Sequence, residues 1–152
     1  TVNALTFGAL KNKQIKVFGG KQIRPNLHMA DMIKAYKFFI NRKIKKNKTI
    51  DQTIFNVGFE NISILNIAKT INKIIKVKSK ILVQASNDPR SYRQNSNRLL
   101  KIGFKKDRNI NDAIKEIEEK DIDDFEEPFF GLTTHLNCEN IYNYCKKKKL
   151  TL

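Results

Sequence analysis

The fold of this chain is decided by residues 15–32, which read IKVFGGKQIRPNLHMADM. The first four residues alternate between apolar and polar side chains, as a half-buried strand does, and the alternation stops at Gly19–Gly20. Pro25 disfavours helical backbone geometry for the residue before it, so residues 23–29 are predicted to be extended. Asp31 then stands where a helix N-cap is expected. A strand, a glycine turn, an extended segment and a helix start therefore follow one another directly.

In the rest of the chain the spacing of apolar residues predicts helices that alternate with strands. This order is typical of an α/β protein. Ser63 is predicted to cap the helix that follows it, Gly103 to end a short helix, and Asn109 or Asn111 to cap the next one. The predicted helices are 2–10, 32–44, 64–75, 96–102, 112–120 and 138–149, and the predicted strands besides 15–18 are 53–58 and 80–84.

The charge of the chain first suggests a nucleic-acid partner. The chain has 152 residues and a formal net charge of +15. However, 24 of the 30 basic residues are Lys, and Ile and Asn are also abundant, with 20 and 17 copies. These three residues are encoded by A/T-rich codons, whereas a phosphate-binding groove favours the planar fork of Arg. The charge is also divided, with +19 over residues 1–109, −8 over 110–140 and +4 over 141–152. We therefore rank a basic nucleic-acid-binding protein last among the functions considered.

Several classes of site are not supported by the sequence. No apolar run reaches the roughly 18–20 residues that a membrane helix needs. Neither a G-x-G-x-x-G nor a G-x-x-x-x-G-K-[ST] loop is present. Cys138 and Cys145 indicate two reduced thiols of a cytoplasmic protein rather than a metal or disulfide framework. Tyr142 and Lys146 match Y-x-x-x-K, but four consecutive Lys residues make that match an accident. We expect no catalytic residue and no metal ligand in this chain.

Two segments could contact a ligand. Gly19–Gly20 permits a close backbone approach, and Arg24 four residues later could pair with a phosphate. Residues 88–93, DPRSYR, place two Arg and a Tyr in a loop after a predicted strand, where α/β proteins bind ligands. Each segment also has a simpler interpretation without a ligand. The first would be a surface turn followed by a surface Arg, and the second a solvated loop. His28 is expected to be a hydrogen-bonded structural residue.

Taken in order, these segments resemble a known family. The pattern runs from Asn3 and Leu5, through Val17-Phe18-Gly19 and Arg24-Pro25-x-x-His28-Met29-x-Asp31, to Phe55-Asn56-Val57-Gly58 with Asn61 and Ser63, and ends with Asp88-x-Arg90-Ser91-Tyr92 and Ile102-Gly103-Phe104. It is similar to the C-terminal half of the extended short-chain dehydrogenase/reductases, the NAD-dependent sugar-nucleotide epimerases and dehydratases. The resemblance covers roughly residues 1–120.

The resemblance implies a substrate-binding part whose Rossmann half is missing. In that family the Rossmann half holds NAD or NADP and the catalytic Tyr and Lys, so no cofactor site is expected in this piece. We expect a substrate-binding domain over residues 1–127, a C-terminal tail with a helix over 128–152, and a homodimeric, cytoplasmic parent enzyme. The start without an initiator Met adds to the expectation that the chain is a fragment.

The resemblance also implies individual roles in binding a nucleotide-diphosphate sugar. Asn3 matches an Asn that contacts the diphosphate, and Arg24 matches an Arg that pairs with the phosphates. Phe18 and Gly19 match the short strand against which the nucleotide base rests. Asn61 and Arg90 fall near further diphosphate contacts, although the segment after Arg90 lacks the Gly-Asp turn common in the family.

Two other functions stay open at the level of the sequence. The chain could be a stand-alone nucleotide-sugar or phosphate-binding module, or partner a separate Rossmann subunit. The basic nucleic-acid binder is the weaker alternative, and a steep salt dependence would be its signature.

Overall fold

A computed structural model describes residues 1–41 and 54–120 of the chain. Helices and short strands alternate along these residues, which confirms the predicted α/β class. The elements fall within one compact unit, Thr1–Glu119. In chain order they are α1 (Val2–Asn12), β1 (Gln14–Phe18), β2 (Ile23–Asn26), α2 (Met29–Ile40), β3 (Glu60–Ser63), α3 (Ile64–Ile74), β4 (Lys80–Gln84), α4 (Asn97–Lys101) and α5 (Ile110–Glu118).

The four strands form two separate pairs. β1 lies parallel to β4, with Ile15 opposite Ile81 and Phe18 opposite Gln84. β2 lies antiparallel to β3, with Arg24 opposite Ile62. The parallel pair needs a long crossover, because neighbouring parallel strands cannot be joined by a tight turn. Here the crossover contains β2, α2, β3 and α3.

Two apolar regions hold the unit together. In the first, α1, α3 and α5 pack against one another, with α1 and α3 also against β1, and the fully buried side chains include Ile15, Ile67, Ile71 and Ile114. The second is built from aromatic residues around Ala35, Leu99 and Phe104. Phe104 stacks on Phe59 with ring centroids 5.7 Å apart. The isoleucine stripe predicted for residues 64–75 therefore forms the inner face of α3.

Two predicted helix starts are confirmed. The Ser63 hydroxyl accepts a hydrogen bond from the Asn66 backbone N–H at 3.3 Å at the start of α3. At the start of α5 the structure selects Asn109 over Asn111, since Asn109 and Asp112 form a reciprocal capping box. Gly103 follows α4 with a φ of +97°, which is the conformation that favours glycine after a helix.

The start of α2 differs from the prediction. The helix begins at Met29, and its N-cap is His28, whose Nδ1 accepts a hydrogen bond from the Ala30 N–H at 3.1 Å. Asp31 is buried inside the first turn and accepts hydrogen bonds from the backbone N–H groups of Asp107 and Arg108, at 2.9 and 3.1 Å. The helix starts earlier because His28 can cap it, which leaves the Asp31 carboxylate for a tertiary contact.

The predicted strand over 53–58 is wrong. Its described residues, 54–58, form no strand, and the hydrogen-bonded strand is β3, which begins at Glu60. The reason is that the backbone of Gly58 bonds to a side chain: its N–H donates to Ser96 Oγ at 3.0 Å, and Ser96 Oγ donates to the Gly58 carbonyl at 2.8 Å. Phe55 and Val57 meanwhile pack against the aromatic core.

Several predictions lie outside the described residues. These are the last residues of the helix predicted to end at Ile44, the domain boundary at 127/128, the helix over 138–149, both cysteines, and the Tyr142–Lys146 match. Among the helices of the described segments, none is long and apolar enough to span a bilayer.

Candidate functional site

The candidate site lies where the two parallel strands end. The carboxyl ends of β1 and β4 are at the same edge, and the Gly19 N–H donates to the Gln84 carbonyl at 2.8 Å. The segments that leave these strands, residues 19–22 and 85–92, are therefore neighbours. Such an edge is the usual ligand position in α/β proteins.

Gln22 joins these two segments, and the sequence reading missed it. Its side chain is buried below Gly19–Gly20, where Oε1 accepts from the Gly20 N–H at 2.7 Å. Its Nε2 donates to the Asp88 carbonyl at 3.3 Å. Both glycines have positive φ, +74° and +99°. A Cβ on Gly19 would lie only 2.4 Å from Gln22 Nε2. The turn thus requires glycine for its backbone and for the space that Gln22 fills.

Arg24 is directed by β2 towards the loop after β4. Its side chain is 15% exposed, and its Nη1 donates to the backbone carbonyls of Ile23 and Arg90. Its Nη2 lies 3.5 Å from Asp88 Oδ2. The guanidinium also lies over the ring of Tyr92, 4.9 Å from the centroid. The planar cation is therefore fixed by a carboxylate, two carbonyls and an aromatic face.

Asp88 and Arg90 form a two-pronged ion pair in the same loop. Arg90 Nε lies 2.8 Å from Asp88 Oδ1, and Arg90 Nη2 lies 2.9 Å from Asp88 Oδ2. Hydrogen bonds from Arg90 lower the pKa of Asp88 to about 2, so the carboxylate is charged at neutral pH. The same pairing raises the pKa of Arg90. Two arginines far apart in the sequence thus meet at the carboxylate of Asp88.

The N-terminal end of α1 lies near enough to Arg24 for the two charges to interact. The pKa of the Thr1 amino group is lowered, first by burial and then by the positive charge of Arg24. The first turn of α1 carries no acidic residue, and no side chain caps it. Asn3 is in that turn and is exposed. Backbone N–H groups at such a helix end favour an anion.

Phe18 is the last residue of β1 and lies beside a groove between α1 and β1. Its side chain is 56% exposed at the end of β1. It borders a groove of about 750 Å³ that is also lined by Ala4, Leu5, Gly8, Asn12, Gln14 and Lys16. An exposed aromatic ring beside an apolar helix face and two amide side chains can stack on a flat heterocycle and hydrogen-bond its edge.

The Asn61 side chain has a structural role, because it is hydrogen-bonded to the backbone of a neighbouring segment. It is paired with Pro25 between β3 and β2. Its Oδ1 accepts from the Gln94 N–H at 2.8 Å, and its Nδ2 donates to the Gln94 carbonyl at 3.0 Å. Among the predicted site residues, the structure therefore brings Arg24 and Arg90 into one cluster and connects Gly19 to it through Gln22. Asn61 supports the loop that carries the cluster.

His28 has a structural environment, as predicted. Besides capping α2, it is nearly buried, and its Nε2 lies 3.2 Å from a carboxylate oxygen of Glu116. Within residues 1–41 and 54–120, no group of three His, Cys, Asp or Glu side chains could hold a metal ion.

Comparison with known proteins yields a structural relative. No family model and no curated protein matches the chain. A solved structure that matches is a GDP-L-fucose synthetase from Naegleria fowleri, crystallised with NADP bound. The TM-score is 0.59 at 16% identity, and the match covers 83% of this chain. It covers 39% of the synthetase chain, so this chain spans about two fifths of that protein. At this identity the likeness establishes a shared fold.

Proposed function

We propose that this chain is the nucleotide-sugar-binding part of an NAD(P)-dependent epimerase, dehydratase or reductase of the extended short-chain dehydrogenase/reductase type. The observation that carries the proposal is the meeting of Arg24 and Arg90 at Asp88, beside the glycine turn and the start of α1. It is supported by the fold shared with part of a nucleotide-sugar enzyme.

The diphosphate is the part of the ligand for which these residues are suited. A planar guanidinium pairs with two phosphate oxygens, and unbonded N–H groups at a helix start add further donors. In this proposal Arg24 and Arg90 hold the diphosphate, and Asn3 contacts it from α1. The nucleotide base rests against Phe18 and Gly19, and Asn61 keeps the loop of Arg90 in place through Gln94.

A dinucleotide cofactor does not fit the glycine turn of the residues that the structure describes. A dinucleotide-binding loop leads from a strand into a helix whose first N–H groups hold the pyrophosphate. The turn at Gly19–Gly20 leads from β1 into β2 instead. We therefore assign no contact with NAD or NADP to the described residues, and in this proposal the cofactor is held by a Rossmann part outside this chain. The role of the residues described here is to bind and orient the substrate.

The test is binding of UDP and GDP to the whole chain by isothermal titration calorimetry. Replacing Arg24 by Ala removes a fork of charge-assisted hydrogen bonds, so we expect the affinity to fall by about tenfold or more. Arg24→Lys keeps the charge but loses the fork, and should recover only part of the affinity. Lys73→Ala, which removes one exposed positive charge from α3, is the matched control and should bind like the original chain.

Two results would count against the proposal. One is the absence of binding by the original chain to either nucleotide. The other is equal affinity of the original and the Arg24→Ala chains, provided that both are folded by circular dichroism.

A further inference from the structure

We propose that Asp88 is a specificity-determining residue of this site. Its carboxylate occupies the position between Arg24 and Arg90 that a phosphate group would take, so an anion must displace Asp88 in order to bind both arginines. This inference rests on the proposed function of the site, and its test separates the two.

The geometry of the carboxylate is that of a bound anion. Both of its oxygens are engaged by Arg90, at 2.8 and 2.9 Å, and Oδ2 also lies 3.5 Å from Arg24 Nη2. Carboxylate and phosphate oxygens bind the guanidinium fork in the same two-pronged manner. A phosphate that entered this position would compete with Asp88 for the same N–H groups.

The backbone and the side chain of Asp88 have different partners. The backbone bonds to Ser86 and Gln22, whereas the carboxylate bonds to Arg90 and Arg24. The Asp88 N–H donates to Ser86 Oγ at 3.2 Å, and its carbonyl accepts from Gln22 Nε2. The carboxylate has three described partners, the Arg90 side chain, the Arg90 N–H at 3.0 Å and Arg24. Rotation of the Asp88 side chain alone would therefore clear the site, with the loop still fastened by Gln22 and its local turn kept by Ser86.

A tethered carboxylate discriminates between ligands by their charge and reach. It is always present at a high effective concentration, so a free monoanion gains little by replacing it. A diphosphate carries more charge and can contact Arg24 and Arg90 with different phosphate groups. Asp88 would thus reject single carboxylates and other monoanions while admitting a diphosphate.

The opposite role is also testable. If Asp88 served to hold the two arginines in the geometry that the ligand needs, its removal would weaken binding. The direction of the change in affinity therefore separates competition from positioning.

The experiment titrates the whole chain with inorganic pyrophosphate and, separately, with acetate. Asp88→Asn keeps the size of the side chain and removes its charge. We expect it to bind pyrophosphate about fivefold more tightly than the original chain, since exposed ion pairs have modest strength. It should also acquire measurable acetate binding. Asp107→Asn, which removes an exposed carboxylate that pairs with Lys34 instead, is the matched control and should leave both affinities unchanged.

A measurement on the unmodified chain covers the case in which the variant misfolds. Saturating pyrophosphate should shift the Arg90 Nε–H signal in ¹⁵N spectra and abolish its hydrogen bond to Asp88, whereas acetate should leave both unchanged. A retained Arg90–Asp88 hydrogen bond in the saturated chain would overturn the inference.

The remaining outcomes are distinct. Equal or weaker pyrophosphate binding by Asp88→Asn, with binding by the original chain intact, overturns the inference and leaves the proposed function standing. Failure of both chains to bind pyrophosphate or a nucleoside diphosphate overturns the proposed function, and the inference falls with it.

Discussion

Two aspartates show how differently one residue type is used in this chain. Asp31 is buried, and its carboxylate accepts hydrogen bonds from the backbone N–H groups of residues 107 and 108. Asp88 is partly exposed, and its carboxylate pairs with two arginine side chains. The first fastens two segments of the fold, whereas the second carries a charge that a ligand can replace.

The ionisation of Asp88 provides a direct test of its pairing with Arg90. Because its pKa is lowered to about 2, from an ordinary value of 3.8, its contribution to stability is complete above pH 3.8. That contribution is lost as the pH falls through 2. Arg90→Ala removes the largest cause of the shift, so the pKa should rise towards 3.8, as measured by carboxyl ¹³C titration in NMR.

Arg24→Ala is the internal comparison for that titration. The charge of Arg24 is the smallest cause of the shift, so this variant should change the pKa of Asp88 much less than Arg90→Ala does. An equal pKa in the Arg90→Ala chain and the original chain would contradict the ion pair.

Removal of the Asp31 carboxylate should destabilise the fold strongly. Asp31→Ala leaves two N–H groups without their charged acceptor, and we expect the free energy of unfolding to fall by about 3 kcal/mol. Urea denaturation followed by circular dichroism measures this loss. Asp107→Ala, on the exposed side of the same contact, should cost about 0.5 kcal/mol or less. Similar losses in both variants would show that the burial of Asp31 is not what matters.

At the scale of elements, the turn between β1 and β2 connects the fold to the candidate site. Gly19 and Gly103 both have positive φ, but a Cβ on Gly103 would meet nothing within 4 Å. Alanine at either position should therefore cost about 1 kcal/mol of stability from the backbone. Only Gly19→Ala should also displace Gln22, and with it the contact to Asp88.

The side-chain amide signals of Gln22 in ¹⁵N spectra report this difference. They should move in the Gly19→Ala chain and remain in place in the Gly103→Ala chain, while thermal unfolding records the shared loss of stability. Unmoved Gln22 signals in both variants would refute the proposed link between the turn and the loop.

The elements that could be predicted from sequence are those with local signals. Helix α3 has its cap at Ser63 and an isoleucine stripe with helical spacing, and both are properties of neighbouring residues. The prediction of a strand over 53–58 failed because an apolar segment that ends at a glycine does not reveal which of its backbone groups find a partner. Ser96, 38 residues away from Gly58, takes the hydrogen bonds there and β3 forms further along the chain.

At the scale of the whole molecule, the charge of +15 keeps the nucleic-acid alternative open to measurement. A protein that neutralises many phosphates loses roughly 10³–10⁵ in affinity between about 50 and 200 mM salt. A site with two arginines should lose less than about tenfold for UDP or GDP over that range. The two functions are compared by measuring both affinities at both salt concentrations. Calorimetry measures nucleotide binding, and fluorescence anisotropy measures binding to a short DNA duplex.

The result expected is that association with the duplex disappears at the higher salt while nucleotide binding persists. Submicromolar duplex binding at about 200 mM salt, with the nucleotide unbound, would favour the nucleic-acid function instead.

The sequence by itself determined the α/β class, the strands over 15–18 and 80–84, most helix starts and the segments around Arg24 and Arg90, because each depends on residues close together in the chain. It also carried the family resemblance. Only the tertiary structure decided that Asp88 lies between the two arginines, that Gln22 joins the glycine turn to the loop after β4, and that Asp31 supports segment 107–108 rather than capping α2. The contacts of Asp88 with Arg24 and Gln22, and those of Asp31 with residues 107 and 108, join positions 64 to 77 residues apart. The contacts around Asp88 exist because β1 and β4 end at the same edge, and no local pattern of side chains encodes that pairing.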